Sequence, residues 1–174
     1  VDLVIPDFSY VLERIDRLQG IILTHGHEDH VGSVPFLLRQ CVTSPVHIYG
    51  SQLTLELVRA RLGESQIHSP AEFHELLGGQ SVGVGLFDFR LLEVGHSIPM
   101  SMAVDIKLPN GARILQTGDY RLDNSMNRPE CLEYLARRGD MGDILLMLGD
   151  STNVEREGNS KCEANVREGL KAVY

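Results

Sequence analysis

The stretch Thr24-His25-Gly26-His27-Glu28-Asp29-His30 puts four ligand-type side chains within six positions. In a loop, His25 and His27 at i,i+2 can turn to one side and share a metal ion. Adjacent Asp29 and His30 can diverge towards a second ion a few ångströms away. Imidazole and carboxylate donors suit Zn²⁺, Mn²⁺ or Fe, and a paired site is a device for hydrolysing phosphate esters, with two Lewis acids serving one hydroxide. A lone histidine reads more simply as a helix cap or a solvated side chain; H-x-H-x-D-H between an apolar run and a helix asks for more.

Three further elements carry donors. Gly95-His96-Ser97-Ile98-Pro99 offers His96 as a third imidazole for the ion of His25 and His27. Thr117-Gly118-Asp119-Tyr120 offers a carboxylate able to bridge two ions. Gly149-Asp150-Ser151-Thr152-Asn153 brings Asp150 among residues that also serve as ordinary caps and turns. Taken singly, each has a plain alternative: a surface histidine beside a proline turn, an aspartate in a Gly-Asp turn, a loop satisfying its own backbone. What they share is position, since each follows a predicted strand, and loops at strand ends gather functional groups.

The elements that must position these residues are legible in the spacing of apolar side chains. An amphipathic helix is predicted over 8–18 from Val11, Leu12, Ile15 and Leu18. A buried strand follows over 21–24. Helices are predicted over 34–40, capped by Ser33 with Pro35 in the first turn, and over 53–62, capped by Ser51 and stopped at Gly63. Strands are expected over 46–49, 86–94, 102–108 and 112–116, the last two joined by the Pro109-Asn110-Gly111 turn. A helix over 132–138 closes at Gly139, and a helix covers 163–173. Residues 143–148 read as a central strand covered on both faces. Short β runs alternating with helices favour a layered α/β architecture, and with no repeat or linker, residues 1–174 read as one domain without an internal boundary.

Composition narrows the class. The 174 residues are 43% hydrophobic and 23% charged, which excludes disorder as the main state. A formal net charge of −8 supplies no basic field for nucleic acid, so a polyanionic substrate must be held by something other than bulk charge, a metal being the obvious candidate. The longest apolar runs, 21–23 and 144–148, fall far short of the ~20 residues of a membrane span. The first residues do not read as a signal peptide, so a cytoplasmic protein without a membrane partner is expected. Cys41, Cys131 and Cys162 form no C-x-x-C pair and read as buried hydrophobes or surface thiols.

Together these elements resemble the metallo-β-lactamase superfamily and, within it, the β-CASP nucleases of the ribonuclease J-like type. The resemblance rests on residues 1–8 (VDLVIPDF), 23–32 (LTHGHEDHVG), His96-Ser97-Ile98-Pro99, Thr117-Gly118-Asp119-Tyr120 and Asp150-Ser151-Thr152-Asn153. It implies an αβ/βα sandwich, with His25, His27 and His96 on one metal, Asp29 and His30 on the other, and Asp119 bridging. Two divalent ions are implied, Zn²⁺ first and Mn²⁺ as the alternative. Asp29 or Asp119 would orient the attacking water, and Asp150 would match the acidic element that orients a histidine acting on the leaving group. The implied substrate is RNA, cut endonucleolytically or from the 5′ end during processing and decay.

Members of that family extend before Val1 and, after Asp-Ser-Thr-Asn, continue into a β-CASP domain and a further metal-binding histidine. The expectation is therefore an incomplete metallo-β-lactamase domain, from a longer protein or a truncated reading frame, of low activity alone and prone to self-association through open strand edges. Two alternatives stay open: an ester, thioester or lactone hydrolase of the same fold, and a metal-binding chain deficient in catalysis. His47, His68 and His74 match no ligand of the family and read as surface or half-buried polar residues.

Overall fold

The structure, a computed structural model, describes residues 4–41, 45–65, 67, 71–121, 129–158 and 163–173. Three parallel strands, β1 (Ile21–Ile22), β2 (Val46–Gly50) and β3 (Ala71–Glu75), form one sheet in that order. A second sheet runs β4 (Ser81–Val84), β5 (Phe87–Glu93), β6 (Met102–Lys107), β7 (Arg113–Gln116) and β8 (Ile144–Leu148). Its neighbours are antiparallel except for β7 and β8, which are parallel.

Alternation along the strands explains the layers. In β2, Val46 and Ile48 face α3 (Val34–Gln40) and α4 (Gln52–Glu64), where Leu37, Leu38, Leu55 and Val58 cover them. Tyr49 points the other way, into a second cluster with Phe89, Leu91, Met102 and Val104 of β5 and β6. The opposite face of those strands sends Leu92 and Ala103 against Cys131 and Tyr134 of α5 (Pro129–Met141). Each such aliphatic side chain, once buried, stabilises the fold by about 1.5–3 kcal/mol. The result is helices, sheet, sheet, helix: the αβ/βα sandwich. A buried ion pair lies under α5, where Asp105 accepts two hydrogen bonds from Arg113 Nε at 2.8 and 3.0 Å and one from its Nη2 at 2.9 Å. Tyr134 donates to the same carboxylate.

Several expectations need correction. The 8–18 helix is broken into α1 (Ser9–Leu12) and a 3-10 turn at Ile15–Arg17. Ser33 and Ser51 precede their helices without a side-chain capping bond; Ser51 Oγ instead lies 2.9 Å from Thr54 Oγ1. α4 and α5 run one and two exposed residues past Gly63 and Gly139, where a glycine in open space costs its helix only about 1 kcal/mol. The strands β3 and β4 were not expected, because each alternates over only two apolar positions, Ala71 and Phe73 in β3 and Val82 and Val84 in β4. Most consequentially, among the described residues β8 lies at the edge of its sheet, paired with β7 alone, and no described layer covers its faces, so Leu145, Leu146, Met147 and Leu148 are exposed. The terminal helix α6 spans Glu163–Val173 as expected. Cys41 and Cys131 are buried thiols; Cys162 and His68 lie outside the described residues. No described helix is long and apolar enough to cross a membrane.

Candidate metal centre

The loops after β1, β5, β7 and β8 meet at one edge of the sandwich. β5 and β7 are both antiparallel to β6 and therefore parallel to each other, and β8 follows β7, so their C-terminal ends point the same way. Backbone bonds lock the loops together. Met102 N–H donates to the Thr24 carbonyl at 2.9 Å, joining the two sheets, and Arg121 N–H donates to the Gly95 carbonyl at 2.7 Å. Thr117 N–H reaches the Leu148 carbonyl at 3.0 Å.

On this edge His25, His27, His96 and Asp119 converge, each offering a donor atom within 4.8 Å of the others. His27 Nδ1 lies 3.2 Å from His25 Nε2 and 3.1 Å from His96 Nε2. Nitrogens bound ~2.0–2.1 Å from one tetrahedral ion would sit about 3.3–3.4 Å apart. The three imidazoles are thus spaced for a shared cation, and their chemistry fits a borderline divalent ion. His25 is 0% exposed, and burial, followed by the neighbouring His30, lowers its pKa to about 4 against an opposing pull from Asp119. Burial also lowers His96, again opposed by Asp119. At neutral pH both present lone pairs.

A second group shares Asp119. The helix α2 (Glu28–Val31) begins immediately after His27 and holds Asp29 and His30 in one turn. His30 Nε2 lies 3.5 Å from Asp29 Oδ2 and 3.4 Å from Asp119 Oδ1. The other Asp119 oxygen, Oδ2, is 3.8 Å from His25 Nε2 and 3.7 Å from His96 Nε2. One carboxylate therefore turns an oxygen to each group, the disposition a bridging ligand needs. Asp150 stands outside both donor groups among the described residues. Its N–H donates to Thr117 Oγ1 at 3.0 Å, while Thr152 N–H donates to its Oδ1 at 2.8 Å. Hydrogen bonds from Thr152 hold the Asp150 carboxyl below the usual carboxylate range, with a smaller electrostatic contribution from His96.

Supporting residues escaped the reading of the sequence. Thr24 Oγ1 lies 3.1 Å from His25 Nδ1; with that nitrogen protonated and donating to the hydroxyl, Nε2 keeps the lone pair for the centre. Ser97 Oγ lies 3.4 Å from His27 Nε2. Gly118 takes φ +59°, and a Cβ there would stand 2.7 Å from the Met102 carbonyl oxygen and 3.1 Å from Thr24 Cβ. Only glycine lets the chain turn there and deliver Asp119. A Thr before a histidine and a Gly before an aspartate are too common to have flagged these roles. His47 and His74 are half-buried, as read, but they stand together with Glu72 elsewhere in the fold.

An αβ/βα sandwich with a histidine-aspartate cluster on its loop edge defines a metallo-hydrolase class of fold and site, and the chain belongs to the beta-lactamase superfamily, whose domain matches residues 3–128. It is 38% identical over 168 residues to "Ribonuclease J" of Mycolicibacterium smegmatis, covering 95% of this chain and 29% of that protein. It is also 38% identical over 180 residues to "Ribonuclease J" of Thermus thermophilus, covering 99% of this chain and 31% of the relative. The chain thus spans under a third of the length of these relatives. Among solved structures it is similar to a protein of unknown function from Enterococcus faecalis, with TM-score 0.56, 19% identity and 83% of this chain on 34% of that one. A new diphosphatase from the PhnP family matches at TM-score 0.53 and 19% identity, 75% of this chain on 49% of that one.

Proposed function

We propose that this chain forms the metal-binding part of a ribonuclease that hydrolyses RNA phosphodiesters with two divalent ions, Zn²⁺ before Mn²⁺. By similarity to ribonuclease J, it would cut internally, from the 5′ end, or both, in cytoplasmic RNA processing and decay, and it could act as a homo-oligomer. The observation that carries the reading is the convergence of His25, His27 and His96 around nitrogens 3.1–3.2 Å apart, with Asp119 turned to both groups.

In this reading His25, His27 and His96 would hold one ion and Asp29 and His30 the other, with Asp119 serving both groups. When bound, the ions supply Lewis acidity that offsets charge building on the phosphoryl oxygens. Asp29 or Asp119 accepts a proton from the attacking water at a carboxylate oxygen and fixes its direction. Asp150, kept ionised by Thr152, would orient a histidine that gives a proton to the leaving oxygen. Because the net charge is −8, affinity for a polyanion comes from the centre itself.

The test is cleavage of 5′-labelled single-stranded RNA by the purified, zinc- or manganese-loaded chain, beside generic ester and lactone substrates. The reading expects RNA cleavage, however slow, that chelation stops and that a His27→Ala, Asp29→Ala double variant lacks. Turnover of esters or lactones with RNA untouched, or full RNA cleavage by the double variant, would overturn it.

A further inference from the structure

The parallel pairing of β2 with β3 creates a histidine cluster away from the loop edge. His47 pairs with Glu72, and Tyr49 pairs with His74. Side chains two apart on a strand share a face, so His47, Glu72 and His74 lie side by side on the face that Tyr49 presents to the second sheet. His47 Nδ1 is 2.9 Å from His74 Nε2 and 3.3 Å from Glu72 Oε2. All three donors fall within 4.8 Å of one another.

The register also sets the distance from the first centre. Tyr49 is level with Ile22, which places His47 level with Gly20, five residues before His25. At ~3.3 Å per residue the two clusters are roughly 15 Å apart. No single ion or ligand atom can link them.

Two features mark the trio as prepared for a cation. First, one proton on His47 Nδ1 can point squarely at His74 or at Glu72, but not at both, whereas a cation would engage all three atoms at once. Donor separations of 2.9 and 3.3 Å sit within a few tenths of the ~3.3–3.4 Å edge of a tetrahedral site. Second, the cluster rests on a fixed floor. Tyr49 stacks on the His74 ring at 4.6 Å and 18°, and Phe89 holds Tyr49 edge-on at 5.3 Å. The other side is open, with the side chains of His47 and Glu72 41% and 55% exposed, leaving room for water to complete a coordination shell.

We propose that His47, Glu72 and His74 form an accessory divalent-cation site, of Zn²⁺ type, that ties the edge strand β3 to β2. Two imidazoles and one carboxylate with open positions form a donor set used by zinc and related ions. Among the described residues no strand lies on the outer side of β3, so a staple to β2 would secure that edge of the sandwich.

Zinc titration by calorimetry, with unfolding followed in parallel, tests the site on the intact chain, on Glu72→Gln and on His74→Gln. A His27→Ala, His96→Ala background separates it from the first centre. The expected result is one zinc equivalent more in the parent than in either variant, or a loss of affinity of at least ~10–100-fold for that equivalent. The zinc-induced rise in unfolding temperature should survive in the His27→Ala, His96→Ala background and vanish when Glu72→Gln is added. Imidazole nitrogen resonances provide a check that needs no substitution: His47 and His74 should shift on zinc binding. Equal stoichiometry and affinity in parent and variants, with His47 and His74 resonances unmoved, would reduce the trio to a hydrogen-bonded pair beside a glutamate and overturn the proposal.

Discussion

Replacing Gly118 with alanine removes no donor atom from the metal centre, yet it should disable it. Gly118 holds φ +59°, and an added Cβ would stand 2.7 Å from the Met102 carbonyl oxygen, which cannot retreat because Met102 N–H is bonded to Thr24. The left-handed conformation costs an L side chain about 1–2 kcal/mol, and forcing a methyl into a packed space adds about 1–3 kcal/mol. A combined loss of roughly 2–5 kcal/mol is less than the ~5–15 kcal/mol of a typical domain, so the chain should fold with the Asp119 loop displaced. Gly111→Ala is the control: φ is +88°, but nothing lies within 4 Å of the added carbon, so only the backbone cost of about 1–2 kcal/mol applies. Urea unfolding gives both stabilities, and zinc calorimetry should show a loss of ~10–100-fold for Gly118→Ala alone, the scale seen when support of a ligand is lost. Equal urea midpoints for the two variants, with wild-type zinc affinity in Gly118→Ala, would refute the claim that this contact sets Asp119.

Thr24→Val keeps the shape of the side chain but removes the Oγ1 partner of His25 Nδ1, and zinc affinity should fall ~10–100-fold with the fold intact; unchanged affinity would show that Thr24 does not orient the ring. Asp105→Ala strands the Arg113 guanidinium under α5, and urea unfolding should show a loss of about 3–5 kcal/mol, whereas a change below 1 kcal/mol would mean the pair contributes only packing. The metal-free protein should be acid-sensitive through His25, whose pKa falls from 6.5 unfolded to about 4 folded. Stability is complete above pH 6.5; as pH falls towards 4 the unfolded state takes up a proton that the native state refuses, costing up to about 3 kcal/mol. A His25→Asn variant with the same acid profile as wild type would assign that sensitivity elsewhere.

The centre was legible in the sequence because its first donors share one short loop. His25, His27, Asp29 and His30 need only a strand before them and a helix after them, and β1 and α2 provide both. His96, Asp119 and Asp150 were legible through their place after β runs, which the common direction of β5, β7 and β8 turns into proximity. What stayed hidden depends on register or on what a strand packs against. His47 and His74 are 27 positions apart and meet only through the parallel pairing of β2 and β3. The apolar run of β8 says that both faces suit burial, but not what would cover them. Gly63 and Gly139 carry the local signal of a helix end, and the helices stop one and two residues beyond them, α5 just before Gly142 at φ +64°.

Anomalous diffraction at the zinc edge from crystals grown with Zn²⁺ tests the metal centre most directly. A peak is expected about 2.0–2.1 Å from His25 Nε2, His27 Nδ1 and His96 Nε2. A weaker second peak should lie among Asp29, His30 and Asp119, which number three donor residues against four in the first group. Both should involve Asp119, and the first should disappear in His27→Ala. Zinc bound only elsewhere on the chain, with those three nitrogens free of an ion, would contradict the account.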